Sequence, residues 1–382
     1  MINKATVLIL GAGASCPYGF PTGLQLKAHI CKALLGLDTS TYDVNREMTF
    51  VNDMELYWAL KNLPLETDPD HINYLKHEPD KVDSEIKKFV RGFAEDLMLS
   101  PDASIDAFLE HHPDYEDIGH RAIASVLLPY ETQASLFDSW LDKWTDSTNK
   151  EQHWYQYFFP RLNSTLENFG NNDIAVVTFN YDRSFEYFLL RAIRAKYKGI
   201  DWQEAKQKLR TIPIIHLYGK LGSLTPSEVD SDPPVGYGGV EKIPSTGTFL
   251  LSREKIDQAA SCIKTINDEY APDQPEFVKA RQLISKAERV YFLGFGYLEE
   301  NMKRLFTEKG KDNYNLLKDQ RNVQYVKDYK FYGTTYGLSI HDRNKLSRIG
   351  LFNKNIHSDI SSPFPDATIY DFLHNCEYSS LD

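Results

Sequence analysis

The chain has 382 residues, of which 42% are hydrophobic and 25% are charged, and these values are ordinary for a globular protein. They exclude general disorder, and this length predicts one or two domains with a sizeable core. No apolar run approaches the roughly 20 residues that span a bilayer. Met1 leads directly into the first predicted strand, which leaves no room for a signal peptide. We therefore expect a cytoplasmic protein.

Charge is distributed unevenly along the sequence. The net charge of the chain is −11, yet residues 36–160, with 25 acidic against 10 basic residues, carry −15 and leave +4 for the rest. The acidic segment argues against direct nucleic-acid binding, and the mildly basic remainder suits an anionic small ligand. A solvated acidic surface that aids solubility is the simpler explanation of the segment itself.

The four cysteines indicate neither a zinc site nor a disulfide framework. None of them forms a C-x-x-C pair. We therefore expect no bound metal.

The first predicted strand, residues 6–10, is a continuous apolar run that is typical of a strand buried on both faces of a parallel sheet. A glycine turn, Gly11-Ala12-Gly13-Ala14-Ser15, follows it at once. Such a turn can bring bare backbone and free N–H groups close to a phosphate. A tight turn with no ligand would have the same sequence. The chain also has Cys16 where the common dinucleotide fingerprint has a third small residue.

A helical region follows this first strand. Apolar periodicity predicts helices over residues 22–37, 83–99, 118–128 and 135–144, and Ser104 is a candidate N-cap of a further short helix. Residues 38–80 are polar and interrupted by prolines, which indicates loops and short helices. No strand pattern is convincing between residues 24 and 170. We interpret residues 38–159 as an acidic helical insertion after the first strand–helix unit.

Alternating strands and helices then return. Strands are predicted over residues 174–179, 212–217 and 289–293, helices over residues 183–197, 275–287 and 299–308, and an irregular loop over residues 221–247. This alternation predicts the α/β class, with a doubly wound, Rossmann-like parallel sheet formed by residues 1–37 and 160–382. The ligand crevice of such a sheet lies at the carboxyl ends of its strands.

Four stretches, in this order, resemble the sirtuin-like family, and in particular its bacterial anti-phage NAD-hydrolase branch. They are GAGAS with Gly19-Phe20-Pro21, TFNYD at residues 178–182, HLYGKLGSL at residues 216–224 and FLGFGYLEEN at residues 292–301. Residues 104–131 also resemble the helical part of those bacterial proteins. Each motif is short, but the ordered set is hard to obtain by chance.

The resemblance implies cleavage of NAD, as substrate, to nicotinamide and ADP-ribose without a metal. It implies that Asn180 and Asp182 face the nicotinamide ribose. The family has a histidine near the third motif as the base, and in this chain His216 and Tyr218 are the candidates for that role. The glycine loop would bind the pyrophosphate, and the last glycine motif would contact the adenosine ribose. The residues implied to bind the dinucleotide are Gly11, Ala12, Gly13, Ala14, Ser15, Phe20, Pro21, Thr22, Thr178, Gly219, Gly294, Phe295, Gly296 and Asn301.

Each of these clusters also has a structural alternative. Asn180 could hold a ribose or a water, or it could be an ordinary turn residue. Asp182 could be catalytic or could cap the next helix. Gly294 and Gly296 would allow close backbone approach or merely form a turn, and His216 could be a satisfied core histidine.

The third motif departs from the family, which usually has histidine directly before the glycine. This chain has Tyr218 before Gly219, and His216 lies two residues before Tyr218. Residues two apart on a strand point to the same side, so we expect His216 to serve a site that Tyr218 borders. The zinc ribbon and the Asp-Phe-Arg of deacylating sirtuins are absent from the sequence, which disfavours protein deacylation.

The resemblance further implies control by homo-oligomerisation and a phage-triggered partner. A HerA-type DNA-translocating ATPase is the candidate partner, and the acidic insertion is the candidate contact. Two other classes stay open: a non-catalytic sensor of NAD or ADP-ribose, and a scaffold subunit with a vestigial pocket. A nicotinamide dehydrogenase is disfavoured because no acidic residue follows a second strand about 20 residues after the glycines.

Overall fold

The computed structural model describes most of the chain. The described residues are 1–35, 79–138, 153–162, 164–224, 232–238, 240–242, 249–251, 253–266, 273–306, 330–348 and 364–375. The predicted loops of residues 38–78 and the ends of the helices predicted over residues 135–144 and 299–308 lie outside them.

Seven strands occur among the described residues. They are β1 (Thr6–Leu10), β2 (Ile174–Thr178), β3 (Ile214–His216), β4 (Val240–Lys242), β5 (Phe249–Leu251), β6 (Arg289–Leu293) and β7 (Phe331–Gly333). Five of them form a parallel sheet in the order β3-β2-β1-β6-β7, and β4 pairs with β5 in a separate antiparallel sheet. The predicted Rossmann-like, doubly wound α/β fold is confirmed.

Strand β1 occupies the centre of the parallel sheet. All five of its residues are buried, as its unbroken apolar sequence predicts. Leu8 lies opposite Val176 of β2 on one side and Tyr291 of β6 on the other. The chain builds β2 and β3 on one side of β1 and then β6 and β7 on the other. The strand order therefore reverses beside β1, which makes its carboxyl end the topological switch point.

Twelve α-helices surround these strands in the described ranges. They are α1 (Gly23–Leu35), α2 (Pro79–Leu99), α3 (Ile105–His111), α4 (Glu116–Leu127), α5 (Trp154–Phe158), α6 (Ser184–Lys196), α7 (Trp202–Leu209), α8 (Arg253–Ala260), α9 (Pro275–Lys286), α10 (Glu299–Phe306), α11 (Ile340–Arg348) and α12 (Ile369–Asn375). Short 3₁₀ turns cover Ala12–Ala14, Cys16–Tyr18, Pro113–Tyr115, Leu128–Tyr130, Phe159–Leu162 and Glu167–Asn171, and Ala134–Asp138 is a π-helical turn.

Most sequence predictions of helices agree with the structure to within a few residues. Ser104 is confirmed as an N-cap, because its Oγ accepts a hydrogen bond of 3.3 Å from the N–H of Ala107. The expected irregular loop over residues 221–247 is wrong in part, since β4 lies within it. The third strand is shorter than predicted and ends at His216.

Contacts divide the chain into two compact units. The first comprises Met1–Phe20, Ala134–Tyr218 and Asn267–Asp382, and it holds the parallel sheet. The second comprises Pro21–Gln133 and Gly219–Ile266, in which α1 packs against α2 and α4. The predicted insertion covered residues 38–159, and because residues 38–78 lie outside the described ranges its boundaries stay a prediction. No helix in the described ranges has both the length and the apolar character that crossing a membrane requires.

Two glycine turns pack backbone against backbone at the switch point. The N–H of Gly13 donates to the carbonyl of Gly294 at 2.9 Å, and the N–H of Gly11 donates to that of Leu293 at 3.1 Å. A Cβ on Gly13 would lie 2.8 Å from the Gly294 oxygen, and one on Gly294 would lie 2.1 Å from the N of Ala14. Gly294 also has a φ of +59°, which L side chains rarely adopt.

We expect Gly294→Ala to lower the free energy of unfolding by about 2 kcal/mol or more, because it combines an unfavourable φ with a backbone clash. Gly296→Ala is the matched control, since a Cβ at Gly296 meets nothing within 4 Å. Denaturant unfolding of both variants tests this. Equal stability of the two would show that the turns can separate at little cost.

Candidate functional site

A small cavity lies at the carboxyl ends of β1, β2 and β3, beside the first turn of α6. The last residue of each strand lines it, namely Leu10, Thr178 and His216. The volume of the cavity that the centre of a water molecule can occupy is about 10 Å³, which is room for about one water molecule. Its polar lining consists of Ser15, Thr178, Asn180, Asp182, Glu186 and His216.

Asn180 ties the end of β2 to the glycine turn. Its Nδ2 donates to the carbonyl of Gly11 at 3.0 Å and to Oγ of Ser15 at 3.1 Å, and its backbone N–H donates to Oγ1 of Thr178. An ordinary turn asparagine would bond to its own turn, whereas this side chain reaches the turn that follows β1. Within the described part of the chain its Oδ1 accepts no hydrogen bond. Asn180 lines the cavity beside this turn.

Asp182 bonds to the first residue of α6, although the N-cap position of that helix is occupied by Arg183. It is 8% exposed, and its Oδ1 accepts hydrogen bonds from the backbone N–H and the hydroxyl of Ser184, at the start of α6. The Ser184 hydroxyl also bonds to the hydroxyl of Tyr155 at 2.8 Å. Burial raises the pKa of Asp182, and the hydrogen bonds from Ser184 and Ser15 and the nearby His216 oppose that shift.

His216 contacts a carbonyl with one ring nitrogen and a carboxylate with the other. Nδ1 lies 2.8 Å from the carbonyl oxygen of Asn180, and Nε2 lies 3.2 Å from Oε2 of Glu186. The side chains of His216 and Glu186 are only 8% and 11% exposed. The pair is thus held at the cavity wall, away from bulk water.

Sequence reasoning missed Glu186. An acidic residue in a first helical turn is commonly explained by its favourable interaction with the helix dipole. The available signal was its place in the first turn of the helix that follows β2, four residues after Asp182.

Tyr218 faces a different set of partners. Its hydroxyl donates to Oδ1 of Asn301 at 2.7 Å and accepts from Nη1 of the buried Arg304 at 2.6 Å. Since β3 ends at His216, the alternation of a strand does not extend to Tyr218. The expectation that both side chains serve one site is therefore not met: the residues lining the cavity include His216 but not Tyr218.

Four of the five N–H groups of the glycine turn are already bonded within the protein. The N–H groups of Gly11, Gly13, Ala14 and Ser15 all donate to backbone carbonyls of the first unit. Nearby, the ring of Phe179 packs against Phe295 at 5.0 Å. A dinucleotide is far larger than the space for one water that this cavity leaves. The predicted pyrophosphate role of the turn stays a prediction.

The other residues that were expected to bind the dinucleotide are divided between the two units. Phe20 is buried and Gly296 is exposed in the first unit, whereas Pro21, Thr22 and Gly219 belong to the second unit.

Cys16 fills the position of the third small residue of the fingerprint. Its thiol donates to the carbonyl of Ala12 at 3.4 Å. Burial, with a further contribution from the Asp182 charge, raises the pKa of Cys16 to about 11. Across the described ranges, no group of three or more His, Cys, Asp or Glu side chains is arranged to hold a metal ion.

Comparisons with protein-family models and with curated proteins find no match for this chain. The fold places it among the Rossmann-like α/β proteins. Any finer assignment therefore rests on its motifs and on the geometry of this cavity.

We expect Tyr218→Phe to lower the free energy of unfolding by about 1–3 kcal/mol, because it removes an acceptor from the buried Arg304 guanidinium. Tyr336→Phe, at a residue that is 68% exposed, is the control and should stay within about 0.5 kcal/mol of the wild type. Denaturant titration measures both. A Tyr218→Phe protein as stable as the control would contradict this account of the hydroxyl.

A further prediction concerns the pH dependence of stability at Asp182. Because its pKa is raised on folding, the folded state holds this proton more tightly than the unfolded state does. The resulting stability is present below the unfolded value of about 3.9 and is lost as the pH rises through the folded pKa. We therefore expect the stability of the wild type relative to Asp182→Asn to fall as the pH rises from about 4. A relative stability that is constant or rises with pH, in unfolding titrations from pH 4 to 7, would contradict the prediction.

Proposed function

We propose that the protein is an NAD glycohydrolase, which cleaves the bond between nicotinamide and ribose to give nicotinamide and ADP-ribose. One observation supports this most: Asn180, Asp182 and His216 meet around a water-sized cavity beside the glycine turn. That turn ends the central strand at the switch point, which is where Rossmann-like sheets bind dinucleotides.

The chemistry needs few groups. Nicotinamide leaves a cationic pyridinium as a neutral molecule, so the leaving group needs little help from an acid. The protein has to stabilise an oxocarbenium-like ribose and position a water. The Oδ1 of Asn180 suits a ribose hydroxyl or the water, and Asp182, once ionised, would supply negative charge in the same cavity.

Regulation belongs to the same proposal. Because the cavity among the described residues has room for about one water, we infer a closed form of the site that opens to admit NAD. A closed state suits an NAD-depleting effector of cytoplasmic anti-phage defence, in which constant activity would be toxic. Homo-oligomerisation or a partner such as a HerA-type DNA-translocating ATPase would supply the opening.

A non-catalytic sensor of NAD or ADP-ribose is the second candidate. It is favoured by the contacts of His216, both of whose ring nitrogens lie within hydrogen-bond distance of protein oxygens. Binding of NAD in calorimetry without release of nicotinamide would favour the sensor.

We expect Asn180→Ala to lower nicotinamide release at least about 100-fold, because it removes the carboxamide that faces the cavity. The variant should stay folded, since the residue follows a strand rather than filling the core. Asn168→Ala, at an exposed residue, is the control. Chromatographic measurement of nicotinamide, with the protein alone and with its partner, tests this. Near wild-type release by Asn180→Ala would remove the residue from the mechanism.

A further inference from the structure

We propose that the carboxylate of Glu186, rather than the imidazole of His216, takes the proton from the attacking water. This inference rests on the proposed NAD hydrolysis and names the base of that reaction. It comes from the contacts of the two side chains and from their shared position at the cavity.

The two nitrogens of His216 have different hydrogen-bonding requirements. The carbonyl of Asn180 can only accept a hydrogen bond, so the 2.8 Å contact requires a hydrogen on Nδ1. In the neutral ring the lone pair then lies on Nε2, which faces Oε2 of Glu186 at 3.2 Å. His216 therefore directs its basic nitrogen at a carboxylate rather than at the space for a water.

The contact between Nε2 and Oε2 has a place for one proton. With neutral His216 and ionised Glu186, two acceptors face each other, and a proton placed between them completes a charge-assisted hydrogen bond. Such a pair is suited to receive a proton during a reaction.

Glu186 is the member of the pair that is placed to meet the water. It lies in the first turn of α6 and lines the cavity together with Asn180 and Asp182. The amino end of a 13-residue helix stabilises the ionised carboxylate. Asn180 orients the water from the glycine-turn side, and Glu186 accepts its proton from the helix side.

The step balances without a further reactant. The water oxygen forms a bond to the anomeric carbon of the ribose as the bond from that carbon to nitrogen breaks. The electron pair of the broken bond stays on the nicotinamide nitrogen and neutralises the pyridinium. The proton of the water passes to Glu186, where His216 Nε2 shares it, and is later released to solvent.

Glu186→Gln tests this assignment. Its amide can still hydrogen-bond to Nε2, but it cannot accept a proton, so we expect kcat for nicotinamide release to fall at least about 100-fold with little change in the Kd for NAD. Glu186→Asp should recover part of the activity. His216→Gln should lose less activity than Glu186→Gln. Glu167→Gln, at an exposed residue, is the matched control.

The outcomes separate this inference from the proposed function. An active Glu186→Gln beside an inactive Asn180→Ala overturns the role of Glu186 and leaves NAD hydrolysis standing. Loss in His216→Gln greater than in Glu186→Gln returns the base to the histidine. If Glu186→Gln does not fold, wild-type kcat in a folded Glu186→Ala overturns the assignment. A wild-type protein that releases no nicotinamide, alone or with its partner, overturns both.

Discussion

The contact between the two glycine turns is the constraint on which the rest of the site depends. The carbonyl of Gly294 accepts from the N–H of Gly13, and neither residue has space for a side chain at this contact. The packing of the two glycine turns against each other holds the turn after β1 in place. Asn180 bonds to the Gly11 carbonyl of that turn. The cavity is therefore defined by backbone packing first and by side-chain chemistry second.

A second support comes from α5, which lies just before β2 in the first unit. Trp154 Nε1 donates to the carbonyl of Ala14 at 2.8 Å, so a fully buried indole holds the glycine turn from outside. The adjacent Tyr155 bonds through its hydroxyl to Ser184, which in turn holds Asp182. One five-residue helix thus positions both the turn after β1 and the first turn of α6.

The sequence predicts the parts of this arrangement that local patterns determine and misses the parts that depend on distant contacts. Strands β1 and β6 were predicted with their correct bounds because a short apolar run is typical of a buried strand in a parallel sheet. Asn180 and Asp182 were placed at the cavity because they directly follow a strand. The partners of Tyr218 were not predictable, since a one-dimensional pattern does not show that a strand ends at His216. Glu186 was missed because its significance comes from a histidine thirty residues away in sequence.

The position of β1 in the chain has a consequence for how the protein forms during synthesis. Its two neighbours in the sheet begin at Ile174 and Arg289, so the most apolar strand emerges from the ribosome long before either partner exists. Until then both of its edges can pair with other chains, and closing such long loops slows folding. Fragments that end before residue 289 therefore leave one edge of β1 without its partner strand.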